Sequence, residues 1–173
     1  VYSFFVNYAR LDGFDPTTPQ VPHADRQDID RWLLSKLQGL IRTADEKYES
    51  MDMVTIVRHS EEFIENLSNW YVRRNRRRFW RPKDSNDRDK LAAYQTLYET
   101  LTVLARVLAP IMPFLTERLY QNLVRTWMPG SPESIHLTSF PAADASKEDA
   151  KLAADMDVVV EVVSGALGLR EAN

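Results

Sequence analysis

Between residues 29 and 48 the apolar positions fall three and four apart: Ile29, Trp32, Leu33, Leu37, Leu40, Ile41, Ala44 and Tyr48. That spacing gathers them on one face of an α-helix, a face that must be buried in water. Asp25 or Asp28 stands where a carboxylate can cap its first turn. The same period predicts a second helix over 52–80, with Met53, Ile56, Ser60, Phe63, Ile64, Leu67 and Tyr71 on the core stripe and Trp70 at its edge. Pro82 limits it, because the residue before a proline disfavours the α conformation. A third helix is predicted over 87–108, with Leu91, Tyr94, Tyr98, Leu101, Ala105 and Leu108 on one stripe. A fourth starts at Pro113, where a first-turn proline is tolerated, and carries Leu115, Leu119, Leu123 and Trp127. Ahead of these, residues 1–9 are apolar and aromatic and read as the tail of a helix, and Gly13 and residues 16–22 form a loop. Behind them, 128–132 is a turn, and 134–140 reads as a short strand or extended arm. Residues 147–169 read as a helix, although Val158, Val159, Val160, Val162 and Val163 would also suit a strand.

Long amphipathic segments joined by short loops predict an all-α antiparallel helix bundle, with a short extended segment and a C-terminal helix. The expected division is a bundle over 1–141, of which 1–24 is a lead-in segment, then a linker and helix over 142–173. Architecture of this kind hosts many functions and names none.

Composition narrows the classes. Hydrophobic residues make up 44% and charged residues 27%, an ordinary globular balance that argues against wholesale disorder. Five glycines disfavour a turn-rich β fold or a glycine-rich nucleotide loop. The absence of cysteine removes disulfides and thiolate zinc sites and suits a reducing compartment, so a cytoplasmic location is expected. No apolar run approaches the roughly 20 residues of a membrane span and no signal peptide is visible, so no membrane partner is expected. The chain opens on Val1 without a methionine and reads as part of a longer protein. His23, His59 and His136 share no metal-ligand spacing. Glu61, Glu62 and Glu65 beside His59 read as a solvated helix face rather than a catalytic acid pair.

The net charge of −3 announces no nucleic-acid binder, but its distribution does. From Arg73 to Lys83 there are seven basic residues and no acid, while from Asp144 to the C-terminus acids outnumber bases seven to three. On a wheel of about 100° per residue, Arg74 and Arg78 continue the core stripe of the second helix. Arg73, Arg76 and Arg77 lie on the other side, and Phe79 and Trp80 fall off the stripe. A buried unpaired guanidinium is costly. Hence either the helix projects beyond the bundle, or Arg74 and Arg78 bond to acids of neighbouring helices; in both cases the outer arginines stay free. Arginine offers a fork for phosphate, and an exposed tryptophan offers a stacking surface for an unpaired base. The candidate nucleic-acid contacts are Arg73, Arg76, Arg77, Arg78, Trp80 and Arg81, with Trp70, Tyr71 and Arg74 as the structural part of the motif. Two or three of these cations would be explained by the helix dipole alone. A helical spacer whose arginines are tied up in internal salt bridges is therefore the competing reading.

The run Asn69-Trp70-Tyr71-Val72-Arg73-Arg74 followed by Arg76-Arg77-Arg78-Phe79-Trp80 resembles the motif of isoleucyl-tRNA synthetases in the helical domain behind their catalytic core. Val1-Tyr2-Ser3-Phe4-Phe5-Val6 with Asp12-Gly13-Phe14-Asp15-Pro16 resembles the segment leaving that core. Leu108-Ala109-Pro110-Ile111-Met112-Pro113-Phe114 with Glu117 resembles a stretch shared with the valine, leucine and methionine enzymes, and Ile135-His136-Leu137 up to Pro141 resembles the extended segment after the bundle. The resemblance covers about residues 1–141. It implies an anticodon-binding bundle whose partners are the tRNA for isoleucine and the remaining domains of the synthetase. The equivalent domain of a valyl or leucyl enzyme is the alternative within the group. The implied parent reaction uses ATP with magnesium to activate isoleucine and join it to tRNA. The His-x-Gly-His and Lys-Met-Ser-Lys-Ser motifs that perform it are not in this sequence, so neither a catalytic residue nor a cofactor is expected in this stretch, and by itself it is expected to be inactive.

Overall fold

The computed structural model of the protein describes residues 1–82 and 87–171. Lys83, counted above in the basic run, lies outside the described residues. Helix α1 (Tyr2–Asp12) leads through a loop and a 3-10 turn (His23–Asp25) to α2 (Asp28–Glu49) and α3 (Met53–Glu65). A π-helical segment (Asn66–Val72) joins α3 to α4 (Arg73–Trp80), and α5 (Arg88–Leu108) and α6 (Pro113–Tyr120) follow. A second π-helical segment (Gln121–Arg125), two 3-10 turns (Ile135–Leu137, Ala145–Lys147) and α7 (Ala150–Glu171) complete the order. No strand occurs among the described residues. The bundle is all-α, as the period of the apolar positions predicts.

The main core cluster lies between α2, the α3–α4 rod and α5, built on fully buried Trp32, Leu33, Leu34, Leu37, Ile56, Leu67, Tyr71, Phe79 and Leu97, and a smaller one gathers Ala105, Ala109, Tyr120 and Ile135. Helix α5 is the central element. It contacts α1, α2, α4 and α6, and so buries Gln95, Thr96 and Thr100 as well as its leucines. The single stripe predicted for it is too narrow, because four neighbours cover most of its circumference. Its buried polar groups hold the loop after α1. The Gln95 side chain accepts from the Val21 N–H at 2.8 Å and donates to the Pro19 carbonyl at 2.9 Å, and Arg26 donates to Thr96 Oγ1 at 2.9 Å. Gly13, left-handed at φ 59°, ends α1, with Phe14 N–H bonded back to the Ala9 carbonyl at 2.8 Å.

Several expectations change. Neither Asp25 nor Asp28 caps α2, whose N-cap is Gln27 without a side-chain bond. Asp25 instead pairs with Arg88 at 2.6 Å. Carboxylate caps sit on the following helices, where Asp52 accepts from Thr55 N–H and Asp87 from Lys90 N–H. On α6 the inward positions are Thr116, Tyr120 and, past it, Leu123, while Leu115 and Trp127 are exposed. The threonine occupies its inward place by donating its hydroxyl back to the Met112 carbonyl at 2.9 Å. The valine run 158–163 is helical, since within α7 its backbone donors are met locally, whereas a lone strand would leave them unpaired. The first half of α7 lies on α2 through Leu152 and Met156 and through the ion pair of Lys36 with Asp157, and the turn just before it is tied to α2 by Arg42 and Glu148.

Residues 134–140 contain a 3-10 turn rather than a strand, and Glu117 is the reason. Its carboxylate accepts from the Ser134 hydroxyl at 2.8 Å and the Ile135 N–H at 3.0 Å, so a backbone donor that a sheet ladder would need is taken by a side chain. Partial burial pushes the Glu117 pKa up, but the bonds from Gln121, Ser134 and Ile135 outweigh that and hold it below the ordinary 4.5. A carboxylate lowered in the folded state stabilises in full above pH 4.5, and that contribution is lost as pH falls through the folded value. Urea melts across the acid range should therefore show the wild type losing stability to acid more steeply than Glu117→Gln, which carries no titrating group there.

Candidate nucleic-acid interface

The α3–α4 rod holds its core stripe at Ile56, Ser60, Phe63 and Leu67, as α-helical spacing requires. The π-helical segment Asn66–Val72 then breaks the period. Wide π turns add a residue to the helix and rotate everything beyond by about one position. Beyond Leu67 the buried positions are Tyr71 and Val72, then Asn75, then Arg78 and Phe79, so the stripe widens toward the later residues. A wheel of constant pitch carries the stripe to Arg74 instead. This corrects two placements: Arg74 is exposed rather than core-facing, and Phe79 is buried at 1% exposure rather than off the stripe. Phe79 meets Phe4 of α1 and Tyr94 of α5 edge-on, at ring separations of 5.1 and 5.0 Å. Arg74 places its guanidinium 4.8 Å from the centre of the half-buried Trp70 ring.

Arg78 remains on the buried side and is fully partnered. Its two Nη groups donate to the two carboxylate oxygens of Asp30 on α2, each at 2.8 Å, a two-pronged pair. The same guanidinium reaches Asn75 Oδ1 at 2.9 Å and, on α5, the Asp89 carboxylate at 2.8 Å. Tyr71 donates its hydroxyl to Asp30 at 2.7 Å. Burial works against the charge of Arg78, yet the Asp30 bonds and charge outweigh it and raise the guanidinium pKa further. Burial first, then the Asp30 charge, raises the Tyr71 phenol well above its ordinary value. Asp30, fully buried, was missed in the sequence. The signal was present, because Asp30 lies seven residues before Leu37 on the predicted core face, where an acid needs a cation.

On the solvent side stand Arg73, Arg76 and Arg77, all exposed, with no acid paired to any of them among the described residues. Trp80 beside them is 55% exposed. Arg81, at the end of α4, is exposed but held by Asp87 at 2.6 Å and Asp89 at 2.8 Å. The motif thus divides into an inner layer (Tyr71, Asn75, Arg78, Phe79) that fixes α4 and an outer layer of unpaired cations beside an aromatic plane. Such a surface attracts phosphate and offers a face to a base.

Residues 30–173 match the family model described as the anticodon-binding domain of tRNA ligase. The chain belongs to this family. Its sequence is 47% identical over 164 residues to an isoleucine–tRNA ligase of Dehalococcoides mccartyi, covering 95% of this chain and 16% of that relative. It is 48% identical over 171 residues to the isoleucine–tRNA ligase of Thermus thermophilus, covering 98% and 16%. With that of Porphyromonas gingivalis the identity is 44% over 170 residues, covering 98% and 14%. The chain therefore spans about 16% of the length of the first curated relatives it matches. Within this anticodon-binding domain the stretch from Leu108 to Phe114 forms the corner between α5 and α6. No helix among the described residues is long and apolar enough to cross a membrane.

Proposed function

We propose that the chain grips the anticodon stem-loop of the tRNA for isoleucine, as the RNA-binding part of a cytoplasmic isoleucine–tRNA ligase. The observation that carries this reading is the outer layer of α4: Arg73, Arg76 and Arg77, exposed and without acid partners among the described residues, beside half-exposed Trp80. These arginines bind backbone phosphates, and Trp80 stacks on an unpaired base. Arg81 contributes less, because Asp87 and Asp89 already hold it. Arg78 and Tyr71 act from inside, fixing the azimuth of α4. Residues 1–141 make the gripping bundle and 142–173 lead into the region after it. The ATP- and magnesium-dependent joining of isoleucine to tRNA belongs to other domains of the ligase, which are the chain's covalent partners. The spacer reading accounts for Arg78 and Arg81, but it leaves the three outer arginines without a role.

Binding of isoleucine tRNA to the chain should weaken steeply with salt. Three neutralised phosphates give a slope of about −2 to −3 in log K against log salt. Salt-independent binding, or none at low salt, overturns the reading. Equal affinity for valine tRNA would sink the assignment to isoleucine while leaving the grip itself standing.

A further inference from the structure

A cavity of about 570 Å³ opens between α1 and the α6 region, ending at Trp127. Helix α1 presents opposite faces to its neighbours. Phe4, with the Tyr8 ring beside it, meets Phe79 of α4, while Tyr2, Val6 and Arg10 line the cavity. The only charged residues in the lining are Arg10 and Arg118, and neither pairs with an acid among the described residues. The rest of the wall carries the polar side chains of Asn122 and Thr126 and several apolar and aromatic ones, including buried Phe14 and Trp127 at 46% exposure. Asn122 is oriented by donating to the Tyr2 hydroxyl oxygen at 2.9 Å.

Two unopposed guanidiniums over an aromatic concavity select a ligand that is both anionic and planar. A bare anion would not use the walls, and a neutral ring would not use the arginines. The volume lies within the range of small-molecule pockets. We propose that this cavity binds one unpaired nucleotide of RNA, its phosphate on Arg10 and Arg118 and its base against Trp127. Resting on the RNA-gripping reading above, the occupant is a nucleotide of the same tRNA.

The test uses the 173-residue chain labelled at its tryptophan indoles. Uridine 5′-monophosphate is expected to move the Trp127 indole resonance saturably, to leave the buried Trp32 resonance in place, and to bind more tightly than uridine or inorganic phosphate. Arg10→Gln with Arg118→Gln should weaken that binding by about tenfold or more, and should weaken tRNA binding as well. Both side chains are exposed and make no bond among the described residues, so the double variant should keep its helical circular dichroism. Arg58→Gln, on α3, controls for net charge and should change nothing. An unmoved Trp127, equal binding of phosphate alone, or an unaffected double variant overturns the pocket. The variant lacking the three outer arginines separates the two ideas: it should lose tRNA affinity yet keep the Trp127 response to the mononucleotide.

Discussion

Asp30→Ala is expected to destabilise the protein by about 3–5 kcal/mol, the cost of leaving a buried charge without its partner. Arg78 is 7% exposed, and its two-pronged bond to Asp30 is the innermost of its contacts. Asp89, nearer the surface, already bonds Arg78 and is shared with Arg81, so it adds no new acceptor for the Nη donors that lose Asp30. The Tyr71 hydroxyl loses its 2.7 Å acceptor in the same step, leaving only the Ala93 carbonyl at 3.3 Å. Denaturant melts measure the loss. Asp30→Ala combined with Arg78→Met should regain most of it, because removing both charges removes the unpaired one. If the single variant melts like the wild type, the network does not hold α4 and the division into inner and outer layers fails.

The triple variant Arg73→Gln, Arg76→Gln, Arg77→Gln should behave in the opposite way. Its melting should stay within about 0.5 kcal/mol of the wild type, as exposed substitutions do. Its affinity for isoleucine tRNA should fall by about two orders of magnitude at low salt, roughly 1 kcal/mol for each charged contact. The salt slope should flatten by about 2 to 3. Trp80→Ala serves as the contrasting measurement: loss of a stacking plane costs about 1–3 kcal/mol of binding and leaves the slope unchanged, because no counterion release is lost. A triple variant that binds as before would return the arginines to the spacer reading.

The helices were legible because their apolar residues repeat at 3.6, and this holds for α2, for α3 and for the start of α5. The basic run was legible from composition. The outward direction of Arg73, Arg76 and Arg77 came from the wheel. The exchange of Arg74 for Phe79 on the core side was not legible, because no residue type marks a π turn; Asn66 to Val72 read as ordinary helix. Thr116 and Gln95 lie outside the apolar stripes; the buried place of Gln95 depends on a bond from Val21, 74 residues away, while Thr116 satisfies its hydroxyl within its own helix. Asp30 could have been found, by asking which acid on a predicted core face answers Arg78. The turn at Ile135 depends on Glu117, 18 residues away, a separation that local pattern does not reach.

The π-helical segment between α3 and α4 also bears on how such a domain can vary. A change in Asn66–Val72 that closed the same seven residues into regular α geometry would leave the extra residue in the helix with no wide turn to absorb it. Everything after it would turn by about 100°. Phe79 would leave the core and Arg74 would take a place on the inner stripe, so an intact arginine motif would be aimed at the wrong surface. The pitch of this seven-residue stretch is therefore a variable separate from the identity of the arginines after it. Two homologues could keep every arginine and still differ in what they hold.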